Sequence, residues 1–189
     1  GTGNDSLFFG SASDVTGTTL TGSGADTFTL LGENTVVFGA LSTAASRVSL
    51  GSKADQVTFN GAIGAGSIFG GQGNDTLHFV SGSSLTDTSI QGGGGAELFS
   101  GAVSIGAGDI SFWGGAGADT FNFSSITGAP GNTAWFWNDA AGTDSIVFGQ
   151  LVSAGTGNAP VQVGPGVGFG LKSGAGMNIS FLDTQTTQS

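Results

Sequence analysis

Apolar residues recur two and four positions after an acidic one along most of the chain. Leu7 and Phe9 follow Asp5, Phe28 and Leu30 follow Asp26, and Val57 and Phe59 follow Asp55. The same spacing gives Leu77 and Phe79 after Asp75, Phe121 and Phe123 after Asp119, and Ile146 and Phe148 after Asp144. After Glu97 it gives Phe99 and then Gly101, the one position of the series that is not apolar. Alternate residues of a strand point to opposite faces, so each pair marks the inward side of a short strand. A second apolar column, Val48, Ile68, Ile90, Phe112 and Phe136, precedes the turns that lead to these acids. Two short parallel sheets facing each other across a thin core follow from the two columns.

The acids are separated by 21, 29, 20, 22, 22 and 25 residues. Periods near 20 with two strands per turn describe a solenoid, whose coils bury their edges only by stacking. The pattern predicts an all-β, right-handed parallel β-roll or β-helix of about six coils over residues 1–150. The long interval between Asp26 and Asp55 predicts a bulging loop over Glu33 to Ser46. Residues 151–189 lose the repeat and read as a C-terminal cap or docking segment, with strands at Val161 to Val163 and Met177 to Leu182. No helix is evident.

Glycine-rich turns sit between the strands. Gly70-Gly71-Gln72-Gly73-Asn74-Asp75-Thr76-Leu77-His78 fits the nonapeptide Gly-Gly-x-Gly-x-Asp-x-hydrophobic-x, and Gly114 to Asn122 repeats it. Near copies run from Thr21 to Asp26 and from Gly92 to Glu97, with a truncated Gly3-Asn4-Asp5. Lys53 replaces the fourth-position glycine ahead of Asp55, which predicts a poor metal turn there. Glycine contributes 38 of 189 residues and Phe contributes 15, a mixture with too many aromatics for a flexible linker. Three Pro residues exclude collagen.

Thirteen acidic residues against three basic ones give a net charge of −10, which repels nucleic acid and anionic lipid alike. Stacked acids such as Asp75, Glu97 and Asp119 repel one another unless neutralised, and carboxylates with backbone carbonyls form the oxygen set that calcium prefers. The chain has no Cys, so any cross-linking falls to metal. No apolar run is long enough for a membrane span or a signal segment, so the chain reads as a piece of a longer protein.

On the two full nonapeptides, the near copies and the closing Trp137-Asn138-Asp139-Ala140-Ala141-Gly142-Thr143-Asp144 segment, residues 1–150 resemble the repeats-in-toxin family of secreted calcium-binding β-roll proteins. One full nonapeptide per coil departs from that family's tandem pattern, because the opposite half-turns, Gly82 to Asp87 and Gly106 to Asp109, are degenerate. The longer coils are similar to surface-layer and adhesin β-helices as well. The resemblance implies calcium ions between successive turns, held by carboxylates and turn carbonyls. Carried onto this sequence, the set is Asp5, Gly22, Gly24, Asp26, Gly71, Gly73, Asp75, Gly93, Gly95, Glu97, Gly115, Gly117, Asp119, Asp139, Gly142 and Asp144. It also implies export, by a type I route, to the cell surface or beyond.

Catalytic chemistry has little to build on. His78 is the only histidine and alternates with inward Leu77 and Phe79, so it points outward; no nucleophile elbow or phosphate loop is present. Carboxylate pairs such as Asp139 with Asp144, or Glu97 with Asp119, sit in the repeat column, where metal ligation or turn formation accounts for them. The chain therefore reads as a non-enzymatic, extracellular, calcium-stabilised structural module. It would self-assemble, or scaffold a surface layer, matrix fibre or adhesin, against neighbouring domains or other copies. The alternative is a calcium-dependent folding and secretion module of a secreted protease, lipase or epimerase. An outward aromatic series, Phe69, Trp113, Trp135 and Trp137, marks a candidate interaction surface for protein or cell-surface polysaccharide. An ice-binding threonine array finds only Thr27, Thr76 and Thr120, interrupted by Gln56 and Leu98.

Overall fold

The computed structural model describes residues 3–11, 15–41, 46–64, 66–106, 108–128, 133–137, 144–148, 152–153, 161–163, 168–172 and 178–181. The chain winds as an all-β parallel β-solenoid, as the repeats predict, with no helix among the described residues. The first sheet stacks β1 (Ser6–Phe9), β3 (Thr27–Leu30), β5 (Arg47–Leu50), β8 (Ser67–Gln72), β10 (Ser89–Gly94), β12 (Ile110–Ala116) and β14 (Thr133–Trp137). The second stacks β2 (Thr16–Gly22), β4 (Thr35–Leu41), β6 (Gln56–Phe59), β9 (Thr76–Thr86), β11 (Leu98–Ile105), β13 (Thr120–Gly128) and β15 (Ser145–Phe148). A short β7 (Ala62–Gly64) pairs with β4 and β9.

In the last part of the chain, β16 (Val152–Ser153), β17 (Val161–Val163), β18 (Gly168–Lys172) and β19 (Asn178–Phe181) follow. Of these, β17 and β19 fall on the two strands expected from sequence. β18 adds to β14 and β19 to β15, both parallel, whereas β16 and β17 run antiparallel.

In-register parallel stacking puts like on like. Val36, Val57, Leu77, Phe99, Phe121 and Ile146 form one inward column of the second sheet, and Phe38, Phe59 and Phe79 a second. Their rings stack, with centroids 5.6 Å apart for Phe38 and Phe59 and 5.1 Å for Phe59 and Phe79. The first sheet contributes Val48, Ile68, Ile90, Phe112 and Phe136 as its sequence column predicts. All of these are buried.

Gly101 interrupts the phenylalanine column for a backbone reason. Its φ is +109°, and a Cβ there would run into the Phe79 carbonyl oxygen. The register of β11 shifts just beyond it on both sides. Phe112 from the opposite sheet fills the gap, 6.1 Å from Phe79 and 5.1 Å from Phe123.

Three expectations are corrected. Within the span Glu33 to Ser46, expected to bulge, Thr35–Leu41 is instead the strand β4: Val36 and Phe38 alternate as inward residues, and it pairs on both sides with β2 and β6. Consequently Leu7, Phe9, Phe28 and Leu30 do not share a ladder with Val57 and Phe59. They belong to the first sheet, where Phe28 pairs with Val48 and Leu30 with Leu50. Gly82 to Thr86, read as a degenerate turn, continues strand β9, because Ser83 and Leu85 point inward and Ser83 Oγ donates to the Phe59 carbonyl at 2.7 Å.

Truncating a ring in this column removes its transfer energy and leaves a cavity between two stacked neighbours. We expect Phe59→Ala to lower unfolding stability by about 3–5 kcal/mol in urea titration. His78→Ala, on the exposed side of β9, should stay within about 0.5 kcal/mol of the parent.

Candidate functional site

The sharp turns that carry the nonapeptides link the first sheet to the second, along one edge of the solenoid. Their second glycines, Gly71, Gly93 and Gly115, have φ of +100°, +116° and +99°. A Cβ at Gly93 would run into the Gly71 carbonyl oxygen, and one at Gly115 into that of Gly93. Neighbouring turns therefore meet closely through glycine backbone, with Asn74 Oδ1 accepting Ala96 N–H at 2.9 Å beside them. Direct hydrogen bonds join them: Gln72 N–H donates to the Gly51 carbonyl at 2.9 Å, Gly73 N–H to Gly94 at 2.8 Å, and Gly95 N–H to Ala116 at 2.8 Å.

Inside these turns lies a rank of polar side chains, Asn34, Asp55, Asp75, Glu97, Asp119 and Asp144, each only 1% exposed. One oxygen of an acid accepts the backbone N–H of the equivalent residue one coil earlier. Asp55 Oδ1 takes Asn34 N–H at 2.7 Å, Asp75 Oδ1 takes Asp55 N–H at 2.9 Å, and Asp119 Oδ1 takes Glu97 N–H at 2.9 Å. Asp119 N–H donates to Asp144 Oδ1, also at 2.9 Å. The other oxygen is left over: Oδ2 of Asp55 and of Asp75 is buried with no hydrogen bond. Glu97 is the extreme case, since both its oxygens are buried and unbonded. The first glycine of each motif makes room for these groups. A Cβ at Gly70 would sit 2.7 Å from Asp75 Oδ2, and one at Gly92 2.7 Å from Glu97 Cγ.

Burial in this rank disfavours ionisation. Desolvation raises Asp75 from 3.8 to about 7, helped by the charge of Asp55 and opposed by the Asp55 N–H. Asp55 is also raised, again chiefly by burial, although its hydrogen bonds to Asn34 pull the other way. Glu97 is raised by burial first, then by the Asp119 carboxyl, with which it can share a proton, and by the charges of Asp119, Asp75 and Asp144. With both groups ionised there is no proton to share, and the Glu97 oxygens have no partner.

Asp5 and Asp26, expected in this rank, lie on the opposite edge. The acid-then-alternation signature precedes strands of both sheets, so it does not say which edge an acid occupies. There Asp26 Oδ1 accepts Asp5 N–H at 2.9 Å, and Ser46 Oγ accepts Asp26 N–H at 3.3 Å while donating to the Gly24 carbonyl at 3.2 Å. Asp26 Oδ2 is buried without a hydrogen bond and packs against the α-carbon of Gly22. The same local device thus appears on two edges. Asn34 and Ser46, which complete the two ranks, are absent from the acid series because they carry no charge.

Gly73, Gly95 and Gly117 occupy the turn rim, stacked on one another's backbones as the second glycines are. Asp139 and Gly142 lie outside the described residues, as does the side chain of Trp137. Phe69, Trp113 and Trp135 share the outer face of the first sheet. His78 is exposed on the second, its Nδ1 3.0 Å from Ser100 Oγ. Thr27 belongs to the first sheet, so it does not align with Thr76 and Thr120.

Whether this rank suits calcium turns on its oxygens. The buried Oδ2 atoms of Asp55 and Asp75 and both oxygens of Glu97 lack hydrogen bonds, and with carbonyls of the glycine turns they make an oxygen-only donor set, which is the chemistry calcium takes. Among the described residues no three acidic or histidine side chains gather at one point, so carbonyls would have to supply most of the ligands. None of the family models, characterised proteins or solved structures compared with the chain matches it.

A carboxyl whose pKa is higher folded than unfolded keeps its proton in the native state after the unfolded chain has lost it, so stability falls as pH rises between the two values. For Asp75 that window runs from 3.8 to about 7, and Asp55 and Glu97 act in the same direction. The metal-free protein should melt at a higher temperature at pH 5 than at pH 8. A melting temperature that climbs over this range would contradict the assignment.

Proposed function

We propose that the chain is an extracellular, calcium-stabilised structural module, a stiff solenoid that self-assembles or scaffolds a surface layer, matrix fibre or adhesin. The observation that carries this reading is the axial rank of buried carboxylate oxygens without hydrogen bonds, set beneath turns that stack through glycine backbone. At neutral pH such a rank weakens the stack unless a cation neutralises it. Asp55, Asp75 and Glu97, each contributing to a separate site or shared between successive coils, would hold ions together with carbonyls of the glycine turns. Calcium would supply charge neutralisation and bonds between successive coils, linking metal binding to folding. Sites built largely from carbonyls match the weak affinities of extracellular calcium modules.

Scaffolding also needs ends that join. Leu7, an inward residue of the first strand, is 37% exposed, and a cavity of about 300 Å³ opens beside it, lined also by Leu20 and Phe28. Another coil, from a longer chain or from a second copy, would cover this apolar surface by continuing both sheets.

Calorimetric titration of metal-stripped protein with calcium, paired with thermal unfolding, tests the reading. We expect saturable binding, proton release at pH 7 and a rise in melting temperature. The stabilisation should reach about 2.7 kcal/mol at a hundredfold excess over the dissociation constant. No heat of binding and an unchanged melting temperature would refute it.

A further inference from the structure

The outer face of the first sheet carries a strip that metal binding does not use. Phe69, Gln91 and Trp113 stand in one outward column on β8, β10 and β12, paired in register. Ser67, Ser89 and Ser111 form the outward column beside it. Trp113 is 39% exposed, one of three large apolar side chains so open among the described residues. On β14 next to it, Trp135 is steadied by its indole N–H, which donates to Asp109 Oδ2 at 3.4 Å. At the far end the Arg47 guanidinium lies over the Phe69 ring, 4.3 Å from its centroid.

We propose that this strip binds an extended, uncharged polysaccharide laid along the solenoid axis. Strands in a sheet repeat every ~4.8 Å, so Phe69 and Trp113, two strands apart, are separated by ~9.6 Å along the axis. That is about the length of a disaccharide in an extended β-linked chain. Trp113 offers the flat apolar surface on which the C–H face of a sugar ring rests. Gln91, midway and exposed, offers an amide that both donates and accepts, and the flanking serines add hydroxyls. Arg47, already held by Phe69, presents donors to hydroxyl oxygens at the other end.

Charge selects the polymer. Arg47 is the only charged side chain pointing outward from β5, β8, β10, β12 and β14, in a chain of net charge −10. An almost uncharged strip on a strongly acidic protein fits a neutral glycan and disfavours uronate or sulfated ones, which the whole molecule repels. Sites of this kind pair an apolar platform with a few fixed polar groups, as the strip does. The inference rests on the first sheet alone and stands whether or not the turns take calcium.

The test is tryptophan fluorescence and calorimetry with cello-oligosaccharides of two to six units, a soluble neutral β-glucan and alginate, with calcium present throughout. We expect the neutral polymers to bind, the hexamer more tightly than the dimer, and alginate to bind more weakly than the β-glucan. Trp113→Ala should weaken binding about tenfold or more, the scale of losing an aromatic anchor. Gln91→Leu should weaken it too, and Thr58→Ala on the opposite sheet should not; all three should keep the parent's circular dichroism. Three results would overturn the proposal: no binding of neutral polymers, binding indifferent to Trp113→Ala, or a Trp113-dependent dimer that excludes glycan.

Discussion

Parallel coils in register place each residue on its own kind, and this constraint governs the molecule. For phenylalanine the result is favourable: Phe99 lies flat on Phe121, centroids 4.8 Å apart, and Phe112 on Phe136 at 5.1 Å. For glycine it allows turns to touch through backbone. For the acids it is adverse, because a side chain that usefully caps the preceding coil's N–H with one oxygen buries the other beside a neighbour of like charge. Each Asp satisfies a turn amide, and its unmet oxygen is what a proton, or a cation under the proposed function, would answer.

Much of the fold is legible in the sequence because period-two alternation survives in every coil. The columns Val48 to Phe136 and Val57 to Ile146 pair as their spacing predicts. What the sequence obscures is which edge an acid belongs to. Asp26 precedes a strand of the first sheet and Asp55 one of the second, so the long interval between them is a half-coil crossing plus one whole coil. Asn34 marks the missing step. It has Val36 and Phe38 at the same two- and four-residue spacing, and is overlooked only because an amide replaces the acid. The extension of β9 through Gly82 is hidden for a different reason, since glycine and serine there read as a turn while tertiary pairing makes them a strand.

The candidate site is legible to the same degree. Motif spacing locates the turns, and Asp75, Glu97, Asp119 and Asp144 do form one rank. Spacing does not say that the carboxylates point into the coil, that one oxygen of each Asp is consumed by a backbone amide, or that Glu97, longer by a methylene, caps no amide at all. Those facts come from packing. They shape the functional reading: metal at this edge would repair a local defect of stacking, and the outer faces of the sheets remain for partners.

Asn34 also supplies the sharpest test of that account. In the same rank it is fully bonded, its amide donating to the Gly32 carbonyl and to Asp55 Oδ1, both at 2.7 Å. Asp75→Asn keeps the acceptor for Asp55 N–H and removes the buried charge. Thermal unfolding of this variant beside the parent at pH 8, with chelator and with calcium, decides the matter. The account predicts a metal-free variant that is more stable than the metal-free parent and gains less from calcium. A variant less stable than the parent to the same extent in both conditions would contradict it.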